Sequence, residues 1–178
     1  ENTWGVLIGF TAAISVWAFN EMLFLMGMVV GRHEAAPPSG ERGWPRFKRA
    51  SLAIAHHEAA LVLTLIALVA MFYGSENPTA LWVFALLWSM RLSTKLNIHF
   101  GVPNTAAELL PARIAHLRAY FRTGPPSALF PISLTAAAAM SVTIYFYTIA
   151  PETMPHGVAA GTLLLTFALL GVLEHLLL

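Results

Sequence analysis

The residues equipped to form a chemical site in this chain are few, and they lie inside apolar runs. Arg91, Lys95 and His99 recur at intervals of four, which puts two cations and an imidazole in one stripe on a helix face. Three carboxylates sit in other runs: Glu21, Glu58 in His56-His57-Glu58, and Glu174 in Glu174-His175. A lone carboxylate in lipid costs several kcal/mol, so such groups must compensate one another or hold something.

Three kinds of chemistry fit them. The first is a structural network, in which Arg91 and Lys95 neutralise two of the glutamates across a helix bundle and fix its register. The second is a metal site, with Glu21, His57, Glu58, Glu174 and His175 as the carboxylate and imidazole donors. Di-iron carboxylate bundles use these ligand types, but space Glu and His three apart. Here the two are adjacent, about 100° apart around a helix, so one of each pair can face elsewhere. The third is ligation of the magnesium of a chlorin ring by one neutral imidazole, from His56, His99 or His175. Around a bound group, Arg91, Lys95 and Asn97 would orient carboxylates or counter the charge of a headgroup or propionate. Whether the chain is an enzyme stays open at this point.

The elements that position these residues are membrane-length helices. The chain is 57% hydrophobic and 11% charged, against about 25% charged in a soluble domain, which marks a membrane protein. A net charge of +1 gives no reason to expect nucleic-acid binding. The absence of cysteine excludes disulfides, thiolate catalysis and zinc–thiolate sites. Five segments, 4–30, 50–73, 79–98, 128–149 and 157–178, are long and apolar enough to cross a core of roughly 30 Å. They predict an all-α integral membrane bundle, a single polytopic membrane domain over 1–178.

Turn signals separate the spans. Pro37-Pro38-Ser39-Gly40 and Pro45 break the first loop, Glu76-Asn77-Pro78 and Pro151-Glu152 make tight turns, and Gly101-Val102-Pro103-Asn104 ends the third span. The segment from Arg113 to Arg122 predicts an amphipathic helix lying in the interface against anionic headgroups. Gly157-Val-Ala-Ala-Gly161 and the small run Ala136–Ala139 mark surfaces for close helix contact. Trp17, Trp82 and Trp88 read as packing or interfacial anchors, and His33, His116 and His156 as solvated.

Loop charge orients the bundle. Arg32, Arg42, Arg46, Lys48 and Arg49 fill the first loop, and Arg113, Arg118 and Arg122 the loop after the third span. The intervening turns hold only Glu76 and Glu152. The positive-inside rule puts the basic loops in the cytoplasm and Glu1 on the far side. By helix rise, Glu21 then lies about 15 Å from the cytoplasmic end of its span, and His57 and Glu58 at similar depth. Beginning at Glu1 and stopping within Leu176-Leu177-Leu178, the chain reads as a piece of a longer protein.

The ordered strings Trp17-Ala-Phe-Asn-Glu21, His56-His57-Glu58, Met90-Arg91-Leu-Ser-Thr-Lys95-Leu-Asn97 and Gly101-Val-Pro-Asn104 resemble those of the PuhE-type photosynthetic complex assembly proteins. So do Glu108-Leu-Leu-Pro111, Tyr120-Phe121, Leu129-Phe130-Pro131 and Glu174-His175, over essentially the whole chain. Asn20 and His99 depart from the pattern, so His99 is not carried over as a family site. The resemblance implies a multi-pass protein of the bacterial inner, intracytoplasmic photosynthetic membrane. It implies a role in assembling reaction-centre and light-harvesting subunits or in bacteriochlorophyll-related maturation. The alternatives are a di-iron oxidoreductase acting on a tetrapyrrole or isoprenoid, and a permanent accessory subunit of the photosystem.

Overall fold

A computed structural model describes residues 2–31 and 40–178. Glu1, Arg32, His33 and Pro37-Pro38-Ser39 lie outside the described residues, so the expectations placed on them have no structural counterpart here. Among the described residues the chain is helical, with one isolated bridge between Val102 and Thr123 and no strand.

Six α-helices follow in order: α1 Thr3–Leu25, α2 Gly43–Ala53, α3 Ala55–Phe72, α4 Thr79–Phe100, α5 Leu129–Ile149 and α6 Pro155–Leu177. Two 3-10 helices, Ala107–Leu109 and Ala112–Tyr120, lie between α4 and α5. α1, α3, α5 and α6 are long and apolar enough to cross a membrane. α4 has 22 residues, about 33 Å of rise, but Arg91 and Lys95 lower its hydropathy and it does not join those four.

Local chemistry explains most of the ends. The Asn2 side chain accepts from the Gly5 N–H at 2.8 Å and opens α1. Pro155 starts α6, where its missing N–H is no loss. Thr79 N–H donates to Asn77 Oδ1 at 3.2 Å, so the Glu76-Asn77-Pro78 turn feeds α4 directly. α4 stops at Gly101, whose φ of +129° is closed to other residues.

α4 is the hub of the bundle, packing on α1, α3, α5 and α6. It buries more residues than any other helix, from Thr79 through Phe84 and Met90 to Asn97. This placement explains its polarity: a helix surrounded by protein can carry charges that a lipid-facing helix cannot. Trp17 packs edge-on against Phe84 at 5.4 Å, beside Leu61 and Leu68 of α3, as a packing residue should. Small residues let α6 approach its neighbours. Gly161 lies against Thr148 of α5 with no room for a Cβ, and Gly171 lies against Met90 of α4. The Gly157–Gly161 motif is therefore consumed by packing within the chain.

Three elements differ from expectation. The predicted second span, 50–73, is two helices, because Ile54 leaves helical geometry at φ −117°, ψ 6°. The Val30 carbonyl draws the His56 and His57 N–H groups at 3.1 Å each, which starts α3 afresh. The predicted first span likewise ends at Leu25 rather than 30. The predicted interfacial helix is a 3-10 helix whose Ile114, Leu117 and Tyr120 are buried with Phe24 and Ala53. These three residues cover α1 and α2.

The segment 101–127 closes one end of the bundle. Arg122 N–H donates to Ile98 O and Ser127 N–H to Gly101 O, both at 3.0 Å. Asn104 Nδ2 reaches Leu177 O at 3.0 Å, satisfying a carbonyl that the end of α6 leaves open. Arg46 Nη2 ties α2 to the same cap through Ala119 O and Phe121 O, at 3.3 and 3.4 Å. Arg42, Arg46, Lys48, Arg49, Arg113, Arg118 and Arg122 thus share one end of the molecule.

Candidate functional site

α4 presents two polar stripes. Trp88, Arg91 and Lys95, spaced three and four apart, face α1, α3 and α6; Ser93 and Asn97, four apart, face α6 and α5. Each stripe meets carboxylates or imidazoles contributed by other helices.

On the first stripe, Lys95 Nζ lies 2.6 Å from Glu58 Oε1, and Trp88 Nε1 donates to Glu58 Oε2 at 3.2 Å. Glu58 sits in the first turn of α3, where the helix dipole also favours an anion. Arg91 lies between two carboxylates, with Nη1 3.3 Å from Glu174 Oε1 and Nε 3.9 Å from Glu21 Oε2. His57 is fully buried, stacked on Phe24 with ring centroids 4.3 Å apart, and its Nε2 is 3.4 Å from Glu21 Oε1. That contact is an ion-pair distance without hydrogen-bond alignment, so both His57 nitrogens and Glu21 Oε1 are buried without a hydrogen bond. Lys95 Nζ also stands 5.5 Å from the Phe24 ring centre.

On the second stripe, His175 is fully buried between Gly171 O and Ser93 Oγ, each at 2.8 Å. A carbonyl only accepts, so Nδ1 carries a proton, and in the neutral ring Nε2 accepts from the Ser93 hydroxyl. Asn97 donates to Ser93 O at 3.0 Å and Ser133 Oγ at 2.8 Å, knitting α4 to α5.

The structure therefore brings Glu21, His57, Arg91 and Glu174 into one chain of contacts, with Glu58 and Lys95 as a pair beside it. It does not bring His175 there, and His56 is exposed on α3. Adjacent residues on one helix separate as the 100° step requires. Among the described residues no group of three or more His, Asp or Glu is placed to hold a metal ion. Each glutamate meets a cation instead, and the His175 Nε2 that would ligate is bonded to Ser93. The donor set does not fit a di-iron centre.

Beside the pairs lies a cavity of about 430 Å³, between the ends of α1, α3 and α4 and the cap. Phe24, Ile54, Leu92, Leu96 and Leu117 make its wall apolar, and Glu58, Arg91 and Lys95 supply its polar edge. A concave apolar space with a few convergent charged groups is the usual form of a small-molecule site.

Sequence reasoning passed over Trp88, Ser93 and Ser133 as site residues. Trp88 was legible, because it stands seven residues before Lys95 on the same face. Ser93 stands four before Asn97 in the same way, whereas Ser133 is on another helix and had no local signal. His116 and His156 are half-buried rather than solvated.

No solved structure matches the chain. Over 172 residues it is 34% identical to an uncharacterised 30.4 kDa protein in the puhA 5′ region of Rhodobacter capsulatus. The match covers 96% of this chain and 62% of that relative, so the chain spans less than two thirds of the relative's length. The family model that matches residues 1–178 is DUF3623, described as a protein of unknown function, and this chain belongs to that family.

Proposed function

We propose that this chain is a membrane-embedded factor in the assembly of photosynthetic reaction-centre and light-harvesting complexes. In this reading the cavity of about 430 Å³ holds part of a bacteriochlorophyll precursor whose propionate is still a free acid, while the pigment passes to a subunit. The observation that carries the reading is an apolar cavity edged by Lys95, Arg91 and Glu58, which suits an amphipathic molecule with an acidic group. The motif resemblance and a relative in the puhA 5′ region support the photosynthetic context.

Each residue then has a role. Arg91 and Lys95 face the acidic group of the guest, with Glu21, Glu58 and Glu174 setting their positions. Asn97 acts at one remove, holding α4 against α5. His56, exposed at the start of α3, is free to meet a pigment or subunit docked on that side. α4 serves as a fifth span, protected by its neighbours, and the basic end faces the cytoplasm by the positive-inside rule.

The test is deletion of the gene in its phototrophic host, followed by near-infrared absorption of the membranes. Loss of reaction-centre and light-harvesting bands, restored by the wild type but not by a Leu96→Trp chain that fills the cavity, is the expected result. Unchanged bands in the deletion strain would refute the assembly role. Iron bound stoichiometrically to the full-length protein, and lost in Glu58→Ala, would replace it with an oxidoreductase.

A further inference from the structure

A second recess, of about 680 Å³, opens at the basic end between α2, the end of α4 and Arg122. Its wall carries three guanidinium groups, from Arg42, Arg46 and Arg122. Arg46 spends Nη2 on the cap carbonyls, while the guanidinium groups of Arg42 and Arg122, both exposed residues, make no hydrogen bond or ion pair with any described residue. Glu41 also lines the recess, but its Oε1 is held by Arg49 at 3.2 Å, which leaves the recess cationic.

One side of the recess is aromatic. Trp44 stacks on Phe47 at 5.5 Å between centroids, and Phe47 stacks on Phe100 at 6.0 Å. Trp44 is 72% exposed and Phe100 42% exposed. Trp44, on the short α2 beside the end of α4, has the apolar body and polar N–H that suit the headgroup level, and Phe47 and Phe100 extend its apolar face.

From this juxtaposition we propose that the recess is a binding site for the headgroup of an anionic phospholipid. The phosphate sits among Arg42, Arg46 and Arg122, and the Trp44–Phe47–Phe100 ladder takes the glycerol and upper acyl chain. A soluble phosphate would use the guanidinium groups but gain nothing from the ladder, which is why the lipid is the better occupant. The inference is independent of what the other cavity holds, although Phe47 and His99 line both spaces.

Native mass spectrometry of the full-length protein in mild detergent, titrated with phosphatidylglycerol or phosphatidylcholine, tests it. Phosphatidylglycerol should be retained in preference, and Arg42→Gln and Arg122→Gln should each weaken it about fivefold. Lys48→Gln removes the same charge from an exposed position of α2 outside the recess and should leave retention unchanged. Equal retention of the two lipids, or an equal loss in Lys48→Gln, would reduce the site to diffuse attraction and overturn the proposal. Displacement of phosphatidylglycerol by inorganic phosphate would also overturn it, in favour of a soluble anion. An unfolding midpoint shared by all four proteins shows that any loss is local.

Discussion

The interior polar layer and the basic end contain similar charges and treat them in opposite ways. Inside the bundle, Lys95 is matched to Glu58, and Arg91 to Glu21 and Glu174. At the end, Arg42 and Arg122 have no counterpart among the described residues. The difference follows from solvation. A charge between packed helices must be balanced by protein, because no water is there to do it, whereas a charge at the headgroup level is already solvated. Charges that are spent on each other hold the fold together. Charges left over can take an anion from outside without sharing it with a carboxylate of the fold, as Arg91 and Lys95 must.

The comparison breaks most easily at Lys95, whose pair with Glu58 is the shorter and more enclosed. Lys95→Met strands a carboxylate that is about four-fifths buried, and we expect about 3 kcal/mol of destabilisation in detergent unfolding. Adding Glu58→Gln removes the stranded charge and should recover most of that loss. A neutral Lys95→Met would mean that the interior charges are not mutually dependent, and the contrast with the basic end would fail.

Arg91→Met comes next. It leaves Glu21 and Glu174 without their shared cation, but Arg91 and Glu174 are 38% and 39% exposed, a looser and less enclosed pair than Lys95–Glu58, and the expected cost falls to about 2 kcal/mol. Trp88→Phe keeps the packing and removes one N–H from Glu58, for about 1 kcal/mol by the same unfolding assay. A larger effect in Trp88→Phe than in Lys95→Met would show that Glu58 depends on its neutral donor more than on its charge partner.

These pairs show how far the sequence could be read. That Glu21, Glu58 and Arg91 come to a shared level was legible from 1.5 Å of rise per residue. Their distance from the helix ends was not, because α1 stops at Leu25 and α3 starts at Ala55, within about a turn of Glu21 and Glu58. That Arg91 and Lys95 could neutralise glutamates was legible too, as was the separation of Glu174 from His175 around α6. Which glutamate meets which cation was not, since spacing along α4 says nothing about the rotation of α1, α3 and α6 toward it. The break at Ile54 had no marker either. No proline or glycine stands there, and the cause is a carbonyl twenty-four residues earlier, at Val30. Similarly, nothing in the alternation of charge and apolarity in Arg113–Arg122 showed that Ile114, Leu117 and Tyr120 would cover Phe24 and Ala53.

The smallest effect on the fold should come from Arg122→Gln, and that is what makes it informative. Arg122 is anchored through its backbone, with N–H to Ile98 O at 3.0 Å and its carbonyl to Val102 N–H at 3.2 Å, so the cap keeps its bonds in the variant. Its guanidinium contributes no bond to a described residue, and the unfolding midpoint should match that of the wild type. A lowered midpoint would mean that this charge is spent on the fold after all, like Arg91. An unchanged midpoint together with lost preference for phosphatidylglycerol would separate the two layers by experiment, one serving the fold and the other serving the membrane.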